Sequence, residues 1–465
     1  MNDKNIWKKS TQKDIKAIDT FAKGYMDFLN NGKTERECVD QAVNILEANG
    51  FKELKSLISA GKKLKSGDKV YSTQMNKSIA AFIIGKNAME DGMNILGAHI
   101  DSPRMDVKQN PLYESEGMAY LDTHYYGGVK KYQWVTIPLA IHGVVIKKDG
   151  TTVEINIGDD EDDPVFFISD LLIHLAADQM EKKASKVIEG EALDVIVGNM
   201  PLKASKDKEE KEAVKANILK LLKMSYDIDE EDFASAELEV VPAGKAREAG
   251  FDRSMILAYG HDDRVCAYPS LMALIDMGAC ERTTCAILVD KEEIGSVGAT
   301  GMRSHFFVNA VAEVMNLCSQ YDELKLRRCL ANSCMLSSDV NAGFDPSYAD
   351  KFDKKNASFL GNGMVFCKFT GSRGKSGSND ANAEYIAHIR NILDEAGIVY
   401  QTAELGKVDV GGGGTIAYIL ALYGMNVIDC GVAVLNMHAP WEAISKADLY
   451  GTYEGYKVFL NKAGL

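Results

Sequence analysis

The chain has 465 residues, a formal net charge of −14 at pH 7, and 46% hydrophobic and 26% charged residues. This length allows two or three domains with a large core, and the acidic balance argues against nucleic acid as a partner. Because the sequence has no apolar run of about 18 residues, we expect neither a transmembrane span nor a membrane partner.

The N-terminus and the cysteines favour a cytoplasmic location. Residues 1–4 lack the charged-then-apolar pattern of a signal peptide. The nine cysteines form no CxxC pair, and most lie in apolar runs. This is the pattern of buried thiols in a reducing compartment, so we expect the protein in the cytoplasm.

The first half of the chain changes from helix to strand patterns. Residues 1–60 favour helices, and residues 34–37 fit a capping box. Residues 118–200 are rich in predicted strands, with a hairpin turn at residues 148–150. The charge run at residues 203–215 leads into an amphipathic helix and is typical of a solvated helical face.

After about residue 255, short apolar strands alternate with helices, the βαβ pattern of a largely parallel sheet. We therefore predict an α/β fold with a mixed, largely parallel sheet flanked by helices. Its catalytic domain combines residues 1–108 and 251–465, and residues 109–250 form an inserted β-rich domain.

The most informative segment is residues 290–295, where Glu292 and Glu293 follow the apolar residues 286–289. Neighbouring carboxylates beside an apolar core repel each other unless a cation or a shared proton offsets them. One carboxylate could bind a metal while the other acts as a general base. The alternative is a solvated charged turn.

Four other segments also place His or Asp after a predicted strand, and ligands of open α/β sheets gather at the carboxyl ends of strands. These segments carry His99 with Asp101, His261 with Asp262 and Asp263, Asp339, and His438. Five such ends in one domain favour a shared site over separate structural roles.

The residue types suit a divalent metal. Histidine and carboxylate ligands without cysteine fit Zn, Mn or Co. Asp101 could orient His99 and raise its basicity, because it lies two residues away. Two metals about 3.5–4 Å apart can share a carboxylate and a water and lower the pKa of that water. A free carboxylate beside them can accept its proton.

Four segments together resemble the motifs of aspartyl aminopeptidases, which are cytosolic dinuclear metallopeptidases. They are residues 99–104, 290–296, 338–346 and 437–438. The resemblance extends over nearly the whole chain, including the insertion, which it identifies as a dimerisation domain. It implies peptide substrates and two divalent ions, with Zn²⁺ expected and Mn²⁺ or Co²⁺ accepted.

The resemblance also implies a role for each residue of the site. His99 and Asp339 would bind one metal and Glu293 and His438 the other. Asp262 would bridge both metals, with Asp263 as the alternative bridge. Glu292 would be the general base for the water that the metals share, and it would return the proton to the leaving amine.

Family members that prefer acidic N-terminal residues need a positive group in the specificity pocket. Arg373 and Lys375 are the candidates for that group, and Gly412 lies in a glycine-rich run that could let the backbone approach the substrate. We therefore expect hydrolysis of Asp- and Glu-terminal peptides. The alternatives are a broad-specificity dinuclear aminopeptidase that prefers neutral residues, or another dinuclear hydrolase.

His174 follows a predicted helix start with Ser169 as N-cap. The sequence alone favours a partly buried histidine on a helix. The resemblance implies instead that it reaches the active site of a neighbouring subunit in a homo-oligomer, a dodecamer built from dimers. A non-catalytic metal-binding assembly protein is a further alternative, against which the intact Glu292 counts.

Overall fold

The computed structural model describes residues 4–203, 211–371 and 377–464. The chain divides into two compact units. The first contains Met1–Asp101, Ala246–Met437 and Glu442–Leu465, and the second contains Ser102–Lys245 and His438–Trp441.

The main sheet of the first unit has nine strands in the described ranges. Their spatial order is Lys52–Glu53, Lys69–Gln74, Ser78–Ile83, Thr283–Val289, Met93–His99, Cys334–Ser338, Asn426–Gly431, Met364–Cys367 and Tyr400–Thr402. The four central strands, from Thr283–Val289 to Asn426–Gly431, run parallel. Strands nearer the edges include antiparallel pairs. The predicted mixed, largely parallel sheet is therefore confirmed.

Helices cover both faces of this sheet. The α-helices of the first unit are Ile6–Lys9, Gln12–Asn30, Glu35–Ala48, Leu54–Ser59, His261–Ile275, Phe306–Leu317, Glu323–Ala331, Ala383–Glu395, Ala417–Ala421 and Lys446–Lys462. Along one central strand, Ala286 and Leu288 pack into one apolar core while Ile287 and Val289 pack into the other. A strand buried on both faces requires such a continuous apolar run.

Local sequence signals explain where helices begin. Thr34 accepts a hydrogen bond from the backbone of Glu37, and the Glu37 side chain bonds back to Thr34, which confirms the predicted capping box. Among the helices of the described ranges, none combines the length and the apolar character that crossing a bilayer requires.

A smaller sheet of five strands completes the first unit, and it corrects one expectation. Its order is Arg247–Ala249, Met255–Ala258, Glu442–Ser445, Ala433–Leu435 and Asn341–Ala342. The strands that precede Asp262 and His438 lie here, mostly in antiparallel pairs, and not in the central parallel sheet. An apolar run does not reveal its partner strand, so the sequence could not separate the two sheets.

The second unit contains a six-stranded sheet in its described part. The order is Thr152–Ile157, Leu139–Ile146, Ala236–Pro242, Arg104–Ser115, Met118–Tyr126 and Val195–Gly198, and every neighbouring pair is antiparallel. Ile146 pairs with Thr152, so the predicted hairpin turn is confirmed. The α-helices of this unit are Ala177–Met180, Ala184–Val187 and Ala213–Tyr226.

The predicted helix start at Ser169 is wrong. Residues 169–172 are not helical; a 3₁₀ turn, Ile173–Leu175, comes next, and the α-helix after it begins only at Ala177. Ile173 and Leu175 are both 68% exposed. A helix here would gain little stabilisation from packing, because its apolar residues are not buried within the unit.

Candidate metal centre

Three parallel strands end side by side and deliver the first residues of the site. His99 is the last residue of Met93–His99 and pairs with Val289 at the end of the neighbouring strand. Asp339 directly follows the strand Cys334–Ser338 on the other side. Because the strands are parallel and in register, their carboxyl ends bring these polar side chains together.

Each ring nitrogen of His99 lies close to a carboxylate. Nδ1 lies 3.0 Å from the carbonyl oxygen and 3.3 Å from Oδ1 of Asp101. Nε2 lies 3.1 Å from Oδ1 of Asp262 and 4.0 Å from Oδ1 of Asp339. With the ring proton on Nδ1, Nε2 presents its lone pair toward two carboxylates, an arrangement that a metal ion at this point would stabilise.

Asp262 and Asp263 lie at the start of the helix His261–Ile275 but have non-helical dihedral angles, and the peptide bond between them is cis. The backbone N–H of Asp262 donates to Glu442 Oε2 across 3.0 Å. Asp262 thereby directs its carboxylate to His99. Asp263 is fully buried, and burial raises the pKa of its carboxyl well above the usual range.

Asp101 connects the two halves of the site. Its Oδ1 accepts a hydrogen bond from the backbone N–H of Glu292 at 3.1 Å, and its Oδ2 accepts one from Glu293 at 3.2 Å. Glu292 and Glu293 begin a 3₁₀ turn that starts three positions after Val289, the last residue of a central strand. Asp101 is fully buried, so these bonds fix the turn relative to His99.

The chemistry of the donor set fits a divalent cation. Ligand atoms of His99, Asp262 and Asp339 all lie within 4.8 Å of one another, and the same holds for His99, Glu292 and Glu293. Burial raises the pKa of Asp339 well above its usual range, and the charge of Glu292 raises it further. Clustered carboxylates that oppose one another's ionisation are what a bound cation would stabilise.

Comparison with known proteins decides the family. Residues 28–460 match the family model described as aminopeptidase I zinc metalloprotease (M18). The chain belongs to the M18 family.

Individual relatives agree over the full length. A probable M18 family aminopeptidase 1 of Clostridium acetobutylicum is 60% identical over 98% of both chains. The crystal structure of an M18 aminopeptidase from Thermotoga maritima has a TM-score of 0.93 at 46% identity, and covers 99% of this chain and 100% of that one. A dodecamer structure of mApe1 from S. cerevisiae, 21% identical with a TM-score of 0.76, covers 94% of this chain and 95% of its own, and shares the fold. The protein is therefore a metal-dependent M18 aminopeptidase, as the resemblance to aspartyl aminopeptidases predicted.

His438 follows the strand Ala433–Leu435 in the first unit and itself belongs to the second. Its φ of +66° is in the left-handed region. Nδ1 lies 2.8 Å from the carbonyl oxygen of Gly128, which accepts its proton. That bond selects the tautomer in which Nε2 carries the lone pair, the form in which a histidine can bind a metal through Nε2.

The structure describes only two of the four residues expected to contact substrate. Arg373 and Lys375 lie outside the described residues. Gly412 is exposed in a loop and has a φ of +122°, a conformation that favours glycine. His174 is exposed in the 3₁₀ turn of the second unit, and not in the partly buried helix that the sequence alone indicated.

His261 has a structural role. Its Nδ1 accepts from the hydroxyl of Tyr25 at 2.8 Å, and its Nε2 donates to the carbonyl of Ile256 at 3.1 Å. Burial lowers the pKa of His261 to about 3, so the ring stays neutral. Its two hydrogen bonds hold in place the backbone that leads into Asp262.

Asp429 was missed by the sequence reasoning. It lies on the central strand Asn426–Gly431 and is 3% exposed, and burial raises its pKa to about 7. The negative charge of Glu292 contributes to this shift, so the two carboxyls influence each other. The signal that could have found it is an acidic residue inside an apolar run.

Proposed function

We propose that this M18 enzyme is a dinuclear aminopeptidase that removes N-terminal Asp and Glu residues from peptides. The observation that carries the proposed metal chemistry is that two groups of candidate ligands, Asp262 with Asp339 and Glu292 with Glu293, each lie close to His99. Five titratable groups this close in a buried setting are typical of an active site and unusual in a purely structural network.

The proposed ligands divide between two ions. His99 and Asp339 would bind one metal, and Glu293 and His438 the other, with Asp262 shared. The 3.1 Å distance between Asp262 Oδ1 and His99 Nε2 supports Asp262 as the shared ligand in preference to Asp263. Zinc is the ion expected from the family, and the same donor set accepts Mn²⁺ or Co²⁺.

Glu292 is the proposed general base. Metal ions held by these residues would supply Lewis acidity and lower the pKa of a water toward neutrality. Glu292 would accept a proton from the attacking water and return it to the leaving amine of the peptide. Asp101 holds the backbone of Glu292 and Glu293, which keeps the two carboxylates in different roles.

The acidic preference rests on Arg373 and Lys375, which would pair with the substrate's first side chain, and on Gly412, whose backbone would lie along the substrate. A guanidinium or ammonium group distinguishes a carboxylate from a neutral side chain strongly when both are desolvated. The alternative is a broad-specificity enzyme that prefers neutral N-terminal residues.

An exposed apolar surface supports self-association. Leu172, Ile173 and Leu175 are 54%, 68% and 68% exposed and flank His174. Exposed apolar clusters of this kind mark interfaces. We propose that this segment packs against a second copy and that His174 assists transition-state binding in the neighbouring subunit. We also propose that such dimers assemble into a dodecamer, as mApe1 does.

The cellular location follows from the thiols. All nine cysteines are free, and most are buried. Free thiols are retained where the surroundings are reducing. This supports the cytoplasm as the place of action.

A matched substrate panel tests the specificity. Peptides that differ only in the first residue (Asp, Glu, Leu, Ala and Lys) would be assayed with the zinc-loaded enzyme. The proposal expects the highest kcat/KM for Asp and Glu. Equal rates, or a preference for Leu, would replace it by the broad-specificity alternative. Two bound metals without hydrolysis of any peptide would favour the assembly protein.

A further inference from the structure

Arg264 is a fully buried cation close in sequence to a proposed metal ligand. It lies two residues after Asp262, in the first turn of the helix His261–Ile275, and is 1% exposed. An arginine keeps its charge in a folded protein, and burying that charge is costly unless hydrogen bonds offset the cost. The partners of the guanidinium therefore show which parts of the fold this charge holds together.

The guanidinium joins two segments that are distant from it in the sequence. Its Nε donates to the carbonyl oxygen of Ile100 at 3.2 Å, and its Nη2 donates to the carbonyl oxygen of Lys33 at 2.9 Å. The guanidinium carbon of Arg264 lies 5.4 Å from the centre of the Tyr259 ring, within the range of a cation–π contact. All four residues are buried and belong to the first unit.

The peptide groups that accept from Arg264 are also held by other bonds. The backbone N–H of Ile100 donates to the carbonyl oxygen of Val289 at 2.9 Å, where a central strand ends. The backbone N–H of Lys33 donates to Glu37 Oε2 at 2.8 Å, beside a helix capping box. Arg264 therefore connects its own helix to two points that the sheet and a second helix already fix.

The bond to Ile100 bears on the proposed metal ligands. Ile100 lies between His99 and Asp101 in the sequence, so its carbonyl belongs to the segment that carries both side chains. On the helix, Asp262 lies two residues before Arg264, and its Oδ1 lies 3.1 Å from His99 Nε2. Because Asp262 has non-helical dihedral angles, regular helix geometry does not fix its position. A bond from Arg264 to Ile100 ties the two ligand-bearing segments to each other.

The shape of the guanidinium suits this role better than a lysine ammonium does. Its nitrogens lie at fixed angles in one plane, so bonds from two of them fix the two acceptors relative to each other. An ammonium on a flexible stem keeps the charge but imposes no such geometry. Burial and, to a smaller extent, the positive charge of Arg264 lower the pKa of His261 to about 3, so this charge also acts on the first turn of the helix.

We propose that Arg264 is a positioning residue for the metal centre. By joining the first turn of its helix to the carbonyl of Ile100, it holds Asp262 opposite His99. This role rests on the proposed ligands His99 and Asp262 and does not depend on the acidic preference.

A zinc titration of Arg264→Lys tests the proposal, because this variant keeps the charge and loses the planar donors. The full-length enzyme would be freed of metal by dialysis against a chelator and titrated with zinc. Steady-state kinetics at saturating zinc would be measured on a peptide that the wild type hydrolyses. We expect zinc affinity and kcat each to fall about 10–100-fold, with KM changed by less than about threefold.

Lys446→Met is the matched control for the loss of a buried cation. Lys446 is 2% exposed and bonds Asp19 at 2.8 Å and Glu248 at 2.5 Å, and neither acid is a proposed ligand. This variant should have a lower melting temperature, with zinc affinity and kcat unchanged. Arg264→Gln, which buries no charge, serves if Arg264→Lys does not fold, and it should show the same loss of zinc affinity.

The outcomes distinguish a failure of this role from a failure of the proposed metal site. Wild-type zinc affinity and kcat in the Arg264 variants, or an equal loss of zinc affinity in Lys446→Met, would overturn the positioning role. His99→Ala is the reference for the ligand set and should lose zinc. Wild-type zinc binding in His99→Ala would overturn the proposed ligands, and with them the role of Arg264.

Discussion

Asp101 accepts a hydrogen bond from the backbone N–H of Glu293 at 3.2 Å, between residues 192 positions apart in the sequence. The other oxygen of the same carboxylate accepts from Glu292 at 3.1 Å and lies 3.3 Å from Nδ1 of His99. One buried side chain thus sets the orientation of a histidine and of the adjacent carboxylate pair. The residue acts through others, which makes it a positioning residue.

Replacing Asp101 by Asn should lower kcat/KM about 10–100-fold and weaken zinc binding, because an amide cannot accept from both N–H groups and from His99. Steady-state kinetics and a zinc titration would measure the two effects. Asp350→Asn, at a side chain that is 71% exposed, is the matched control. Wild-type activity and zinc affinity in Asp101→Asn would show that the turn holds its geometry without this carboxylate.

Substitutions of the two adjacent glutamates should have different effects on activity and on bound zinc. Glu292→Gln is expected to lower kcat by about 10²–10⁴-fold with bound zinc unchanged, because only the proton transfer is removed. Glu293→Gln should lose zinc as well as activity, because it removes a negative ligand. Metal analysis beside kinetics distinguishes the two patterns. If Glu292→Gln lost metal while Glu293→Gln kept it, the assigned roles would be reversed.

The central sheet was predictable because its strands have a simple sequence pattern. Residues 286–289 are apolar on both faces of the strand, and Glu292 follows where the strand ends. The contact of Asp101 with that turn was not predictable, since no local pattern specifies a hydrogen bond across 192 positions. Ser169 was misread for a related reason: its segment has helix signals but no core to pack against.

The start of the helix at Asp262 shows a second limit of sequence reasoning. Neighbouring acids look equivalent in a sequence, and both are buried here, but Asp262 lies 3.1 Å from His99 Nε2 and their dihedral angles differ. Such a distinction depends on backbone conformation. Asp429 was overlooked because burial, and not a motif, makes it unusual.

His174 gives a prediction that depends on subunit contact. His174→Ala should lower kcat while the oligomer stays intact by sedimentation, because the side chain would act in a neighbouring active site. Inactive Glu292→Gln subunits mixed with His174→Ala subunits should recover activity after reassembly, since some sites then contain both groups. Lys182→Ala, a nearby exposed variant, is the control. Full activity of His174→Ala would exclude the role, and an absence of recovery in mixed oligomers would place His174 within its own subunit's site.

Asp448 predicts a pH-dependent stability away from the metal centre. This fully buried carboxylate accepts the backbone N–H groups of Gly361 and Gly363, both at 2.7 Å, yet burial raises its pKa to about 7. An acid whose pKa is higher in the folded state stabilises that state fully below its unfolded pKa, near 3.8, and loses this contribution as the pH rises toward 7. The stability advantage of the wild type over Asp448→Asn should therefore shrink between pH 5 and pH 8, by at most about 1.4 kcal/mol per pH unit.

Melting temperatures at fixed protein and zinc concentrations would measure this pH dependence. Asp350→Asn is the control, and its stability difference from the wild type should not change with pH in this range. A difference between wild type and Asp448→Asn that stays constant from pH 5 to pH 8 would mean that Asp448 is ionised in the folded protein throughout.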